Sequence, residues 1–197
     1  MDFTNRLKGV VTQVLLRALL EDGGYRIIPL GIEEVIRELA VLRKEEYAAL
    51  KLPNILRQLP DFFVTDKALK KSWLVEVKYR KNWNDQTRVY LGRQIREQVR
   101  DWAPLYLIVF LGSPGKPNRK LPSSWMGLLC LSMIDGEIFA LDQNGEPCAK
   151  WSKISWKSFR RVQDIFPNIG KKEKWEQQTL QKVRVLLLQL KALDVFE

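Results

Sequence analysis

Three residues within "LPDFFVTDKALKKSWLVEVKYRKNW" (59–83) are of types and at spacings that could do chemistry: Asp61, Glu76 and Lys78. Each lies at the start of, or inside, an apolar run that reads as a strand. Strand interiors normally exclude charge, because burying an unpaired ion costs several kcal/mol. Side chains alternate across a strand, so Leu74, Glu76, Lys78 and Arg80 share one face while Trp73, Val75, Val77 and Tyr79 take the other, the core face. If "DFFV" pairs with "SWLVEVKYR", Asp61 lies beside Glu76. Two carboxylates held close repel each other unless a cation or a shared proton intervenes. Mg²⁺ (or Mn²⁺) answers that problem, since such hard ions take a few carboxylates plus waters and phosphate oxygens. Its protein ligands would be Asp61, Glu76 and the backbone carbonyl of Val77. Lys78, on the face of Glu76, would orient or deprotonate the attacking water. The ion would offset the charge that develops on a phosphate and its leaving oxygen.

The competing reading is an ordinary half-exposed sheet, with Glu76 and Lys78 a same-face ion pair of little energetic worth. A glutamate and a lysine two apart carry no weight alone. They gain it from their setting, with Pro60-Asp61 ahead of one apolar run and the pair inside a second.

Composition narrows the chemistry. The 197-residue chain has no histidine, which excludes a histidine general base and a Ser-His-Asp triad, and its two cysteines, Cys130 and Cys148, lack metal-ligand spacing. Catalysis would therefore run on carboxylates, lysine, hydroxyls and a hard metal. The formal net charge of +10 favours an anionic partner, nucleic acid first. No signal-peptide core and no membrane-length apolar run are present, so a cytoplasmic protein is the default expectation.

The elements that must position these residues follow from periodicity. "TNRLKGVVTQVLLRALLEDGG" predicts a first helix, with Leu7, Val11, Val14, Leu15 and Leu19 inward and Gly23-Gly24 as its stop. "YRIIPL" is a strand that Pro29 keeps short or at an edge. A second helix is expected as an insertion over about 31–52. After the strands at Asp61 and Glu76, Asn84 or Asp85 caps a helix over about 85–102 with Leu91, Ile95, Val99 and Trp102 inward. "LYLIVFL" is a strand buried on both faces. "GSPGKPNRKLPSS" is a basic loop, "WMGLLCLSMIDGEIFALD" a hairpin about Asp135-Gly136, "WKSFRRVQDIF" a short helical piece, and about 171–194 a last amphipathic helix. This alternation predicts an α/β fold, a mixed sheet flanked by helices. A core at 1–111 is expected, with a hairpin and helical extension at 112–197 on the same domain.

"Pro60-Asp61 … Glu76-Val77-Lys78" resembles the PD-(D/E)xK signature of the restriction-endonuclease-like nuclease superfamily. The order of helix, three strands, helix and strand over about 5–111 is similar to that superfamily's core. The resemblance implies metal-dependent phosphodiester hydrolysis, with Asp61 and Glu76 on the metal and Lys78 at the water. It also implies a glutamine on the following helix, where Gln94 is favoured over Gln98 and Gln86. A glutamate is usual on the first helix. The corresponding position here is Gln13, a departure that leaves two carboxylates and an open metal count.

Basic residues gather around the motif. Arg80, Lys81, Arg88, Arg93, Arg96 and Arg100 are candidates for tracking a phosphate backbone, with Arg93, Arg96 and Arg100 on one helix face. A solvated helix face is the plainer reading of any one of them. Lys116, Arg119 and Lys120 lie in the Gly/Pro loop. Cys130 and most tryptophans read as core. The expected function is a Mg²⁺-dependent endonuclease acting on DNA, with no membrane partner and with a homodimer through the C-terminal leucine stripe as an option. The alternatives are a catalytically inactive nuclease-fold module for DNA binding or assembly, and an RNA-directed nuclease.

Overall fold

A computed structural model describes residues 3–31, 42, 44–112, 125–169 and 183. The elements are α1 (Phe3–Asp22), β1 (Arg26–Pro29), α2 (Lys44–Ala49), α3 (Asn54–Arg57), β2 (Phe62–Thr65), β3 (Ser72–Arg80), α4 (Asp85–Trp102), β4 (Leu105–Leu111), β5 (Met126–Ile134), β6 (Glu137–Leu141), β7 (Pro147–Lys150) and α5 (Val162–Ile165), with 3₁₀ turns at Trp151–Lys153 and Trp156–Ser158. The fold is α/β: one mixed seven-stranded sheet, flanked by helices, with its strands in chain order. Every neighbouring pair is antiparallel except β3 and β4, which are parallel and joined by the crossover helix α4. The sheet continues past residue 111, because β5 pairs along β4.

Each face of the sheet carries its own core. On one, Leu16, Leu19 and Leu20 of α1 and Phe166 pack on Val75, Val77, Ile108 and Phe110. On the other, Leu91, Ile95 and Val99 of α4 pack on Leu105, Leu107 and Val109. Strand β4 therefore feeds alternate residues to both, which is why it is a continuous apolar run. Helix α4 starts where Asn84 caps it, its side chain accepting from the Thr87 N–H at 2.8 Å. Asp135 and Gly136, at φ 48° and 73°, supply the left-handed pair that a two-residue hairpin turn requires.

One expectation is corrected and one strand was unforeseen. Val14 is exposed, whereas Leu19 is buried and Leu15 packs on the core as expected; Lys8, Thr12, Leu16 and Leu20 are the other buried residues of α1. Apolar residues surround most of this helix, so periodicity could not fix its face at every position. Strand β7 was not anticipated, since "PCAK" has neither the length nor the branched side chains of a typical strand. The short helical piece expected near "WKSFRRVQDIF" is present, as a 3₁₀ turn and the four-residue α5. Most of the second helix, the loop bearing Lys116, Arg119 and Lys120, and the last helix apart from buried Val183 lie outside the described residues. Among the described residues, no helix is long and apolar enough to cross a membrane.

Candidate active site

The antiparallel register of β2 on β3 sets Phe62 opposite Val75. Asp61, one residue before the strand, therefore falls beside Glu76. Its backbone N–H donates to Glu76 Oε2 at 3.2 Å, and the Val77 N–H donates to Asp61 Oδ2 at 2.7 Å. Two helices complete the set from opposite layers. Gln13 of α1 donates through Nε2 to Asp61 Oδ1 at 2.7 Å. Gln98 of α4 donates through Nε2 to Glu76 Oε2 at 2.7 Å and to the Leu59 carbonyl at 3.3 Å. The Lys78 ammonium pairs with Glu76 Oε1. All four carboxylate oxygens thus accept a hydrogen bond or an ion pair. That satisfaction is what allows Glu76 to be only 3% exposed.

Burial, and then the neighbouring Glu76, push the Asp61 carboxyl up to about 8, although Lys78, the Val77 N–H and Gln13 pull the other way. Burial works against the charge on Lys78, but Glu76 and Asp61 outweigh it and hold the ammonium above its ordinary value. Below about pH 8 the proton on Asp61 leaves Glu76 and Lys78 to balance each other; once it is lost, two carboxylates face one lysine. The carboxylate oxygens suit a hard divalent ion rather than a soft one. Among the described residues no group of three or more Cys, Asp or Glu gathers to hold a metal. An ion here would keep several waters, as Mg²⁺ does.

The glutamine nearest this chemistry is Gln98 rather than Gln94. Gln94 lies one turn earlier on α4, is exposed, and accepts from Arg80 Nη2 at 2.6 Å; Gln86 is exposed near the start of the helix. Helix α4 packs on β4 and β5, and from there Gln98 reaches Glu76 and Gln94 reaches Arg80. Burial could have separated the two, because Gln98 adjoins Val99 and faces inward, but glutamines four apart look alike in sequence. Gln13 was legible as the place of an expected acid; its bond to Asp61 was not.

The basic residues divide into two groups. Arg88 donates to Asp85 at 2.7 Å and to the Ile154 carbonyl at 3.4 Å, tying α4 to the 3₁₀ turns. Arg96 donates to the Gly136 carbonyl and so holds the β5–β6 turn, and Arg100 pairs with Asp101 at 2.7 Å. Arg80 is fixed by Gln94 and by the Tyr79 carbonyl at 2.6 Å. Lys81 and Arg93 are exposed.

Comparison with protein-family models, with curated proteins and with solved structures found no match to this chain. What the site can do rests on its own geometry: two carboxylates meet beside a lysine ammonium, with Lys81 and Arg93 exposed nearby in sequence.

Proposed function

We propose that the protein is a Mg²⁺- or Mn²⁺-dependent nuclease hydrolysing phosphodiester bonds in DNA, built on a restriction-endonuclease-like core formed by α1, β1, β2, β3, α4 and β4. The observation that carries this reading is the meeting of Asp61 and Glu76, with Lys78 on the face of Glu76. Asp61, Glu76 and the Val77 carbonyl would hold the ion. When bound, it supplies charge to stabilise the phosphate as it is attacked. Lys78, held as an ammonium, would orient the attacking water and would not take its proton; the water oxygen forms the new P–O bond, its proton passes to solvent, and the bond to the leaving oxygen breaks. Gln98 keeps the Glu76 carboxylate in place, and Gln13 does the same for Asp61. Net charge and exposed Lys81 and Arg93 supply attraction for the backbone.

One observation favours a second reading. Gln13 presents an amide to Asp61 where a third carboxylate would strengthen metal binding. A DNA-binding or assembly module that keeps this fold without the chemistry fits that substitution. Incubation of the protein with DNA of several structures, and with RNA, in Mg²⁺ or Mn²⁺ separates the readings. Cleavage that needs the metal and is lost in Asp61→Ala and Lys78→Ala is the expected result. Cleavage undiminished in those variants contradicts the assignment, and salt-sensitive binding without cleavage supports the second reading. Selective cutting of RNA would move the substrate class and leave the site in place.

A further inference from the structure

Beyond the two carboxylates, a row of side chains runs along β3 and α4 from buried Gln98 to exposed Tyr90. Gln98 reaches Glu76, Gln94 reaches Arg80, and Tyr90 lies one turn further along. Tyr90 is 60% exposed, and the Arg80 guanidinium lies 5.9 Å from its ring centroid. Arg80 is itself held by two hydrogen bonds, to Gln94 and to the Tyr79 carbonyl, so the ring is backed by a fixed cation instead of a mobile one. Val89, 48% exposed, adjoins it, and Arg93 lies one turn on at the i+3 position, exposed. Lys81 follows Arg80 and is also exposed. Gln98 and Tyr90 are separated by two helical turns, about 12 Å on a helix rising about 1.5 Å per residue.

We propose that Tyr90, backed by Arg80, is a stacking seat for an unpaired DNA base close to the cleaved phosphate, with Arg93 and Lys81 on the flanking phosphates. The substrate class is then DNA with a strand end, flap or unpaired nucleotide, rather than uninterrupted duplex. This inference rests on the nuclease reading for its placement of the scissile phosphate. The chemistry follows from the ring. Stacking needs a free base face, every base has one, and inside a duplex both faces are covered by neighbouring pairs. An exposed aromatic among cations therefore selects unpaired nucleotides without selecting sequence. A purely electrostatic surface would take duplex equally well.

The test uses the full chain in chelator, so that binding is read without cleavage. The probes are a flapped oligonucleotide with 2-aminopurine at the unpaired position and a blunt duplex of the same length. Wild type is expected to prefer the flap and to change the 2-aminopurine fluorescence on binding. Tyr90→Ala should lose about tenfold of the preference for the flap over the duplex, together with the fluorescence change. Tyr90→Phe should restore both, because the ring and not the hydroxyl does the stacking. Equal binding of flap and duplex by wild type, or an undiminished preference in Tyr90→Ala, overturns the proposal. Because this readout needs no metal, it can fail while Asp61-dependent cleavage is found, and it can succeed in a protein that does not cut.

Discussion

On one face of β3, Trp73, Val75 and Val77 are buried among Leu16, Tyr25, Ile108 and Phe166. On the other, Glu76 is buried as deeply, but its neighbours are an ammonium, an amide and a second carboxylate. The same strand thus carries an apolar face that gains free energy from burial and a charged face whose burial costs it. Hydrogen bonds from both helix layers offset that cost without removing it. The contrast separates what holds the fold from what the fold holds in place.

Breaking the apolar face should have the largest effect on stability. Trp73 makes edge contacts with Tyr25 and Phe166, with centroids 5.8 and 5.0 Å apart. Trp73→Ala should destabilise the protein by about 3–5 kcal/mol in urea unfolding, the range for large aromatic truncations in a core. A variant as stable as wild type would show that this face is not the core. The charged face should respond in proportion to how buried each partner is. Gln98→Ala leaves the buried Glu76 short of a donor and should cost about 1–3 kcal/mol, while Gln94→Ala towards the exposed end of the row should cost under about 0.5 kcal/mol. Equal losses in the two variants would dissolve the distinction between them.

The fold was largely legible and the site only partly so. Helix α4 could be read from Asn84 and from Leu91, Ile95 and Val99, because cap and stripe agree with each other. Strand β4 could be read because burial on both faces leaves an unbroken apolar run. The face of α1 could be read only in part, since Val10 and Val14 are as apolar as Leu16 and only the tertiary partner decides among them. Alternation along β3 placed Glu76 and Lys78 together, and pairing with β2 brought Asp61 within reach. The amides that hold the carboxylates were harder: Gln13 and Gln98 are 85 residues apart in sequence and meet through the sheet. The assignment of Arg88 and Arg96 to loop carbonyls depends on where distant turns fall, which no local pattern encodes.

The central claim is that Asp61 and Glu76 form a buried pair whose repulsion a divalent ion would relieve, and it can be tested by thermal melting of wild type and Asp61→Asn between pH 4 and 8, in chelator and in Mn²⁺. The folded pKa of Asp61 is raised from 3.8 to about 8, so across that window the folded state holds a proton that the unfolded state has released. Stability of the metal-free wild type should therefore fall as pH rises, the loss being complete above about pH 8. Asp61→Asn removes this titration, and Gln13 can reverse its amide to keep its bond, so the variant should lack this component of the decline. Mn²⁺ should raise the melting temperature of wild type most at pH 8, where the ion meets the ionised pair, and leave Asp61→Asn nearly unmoved. The same Mn²⁺ response in both proteins, or none in wild type, would contradict the account.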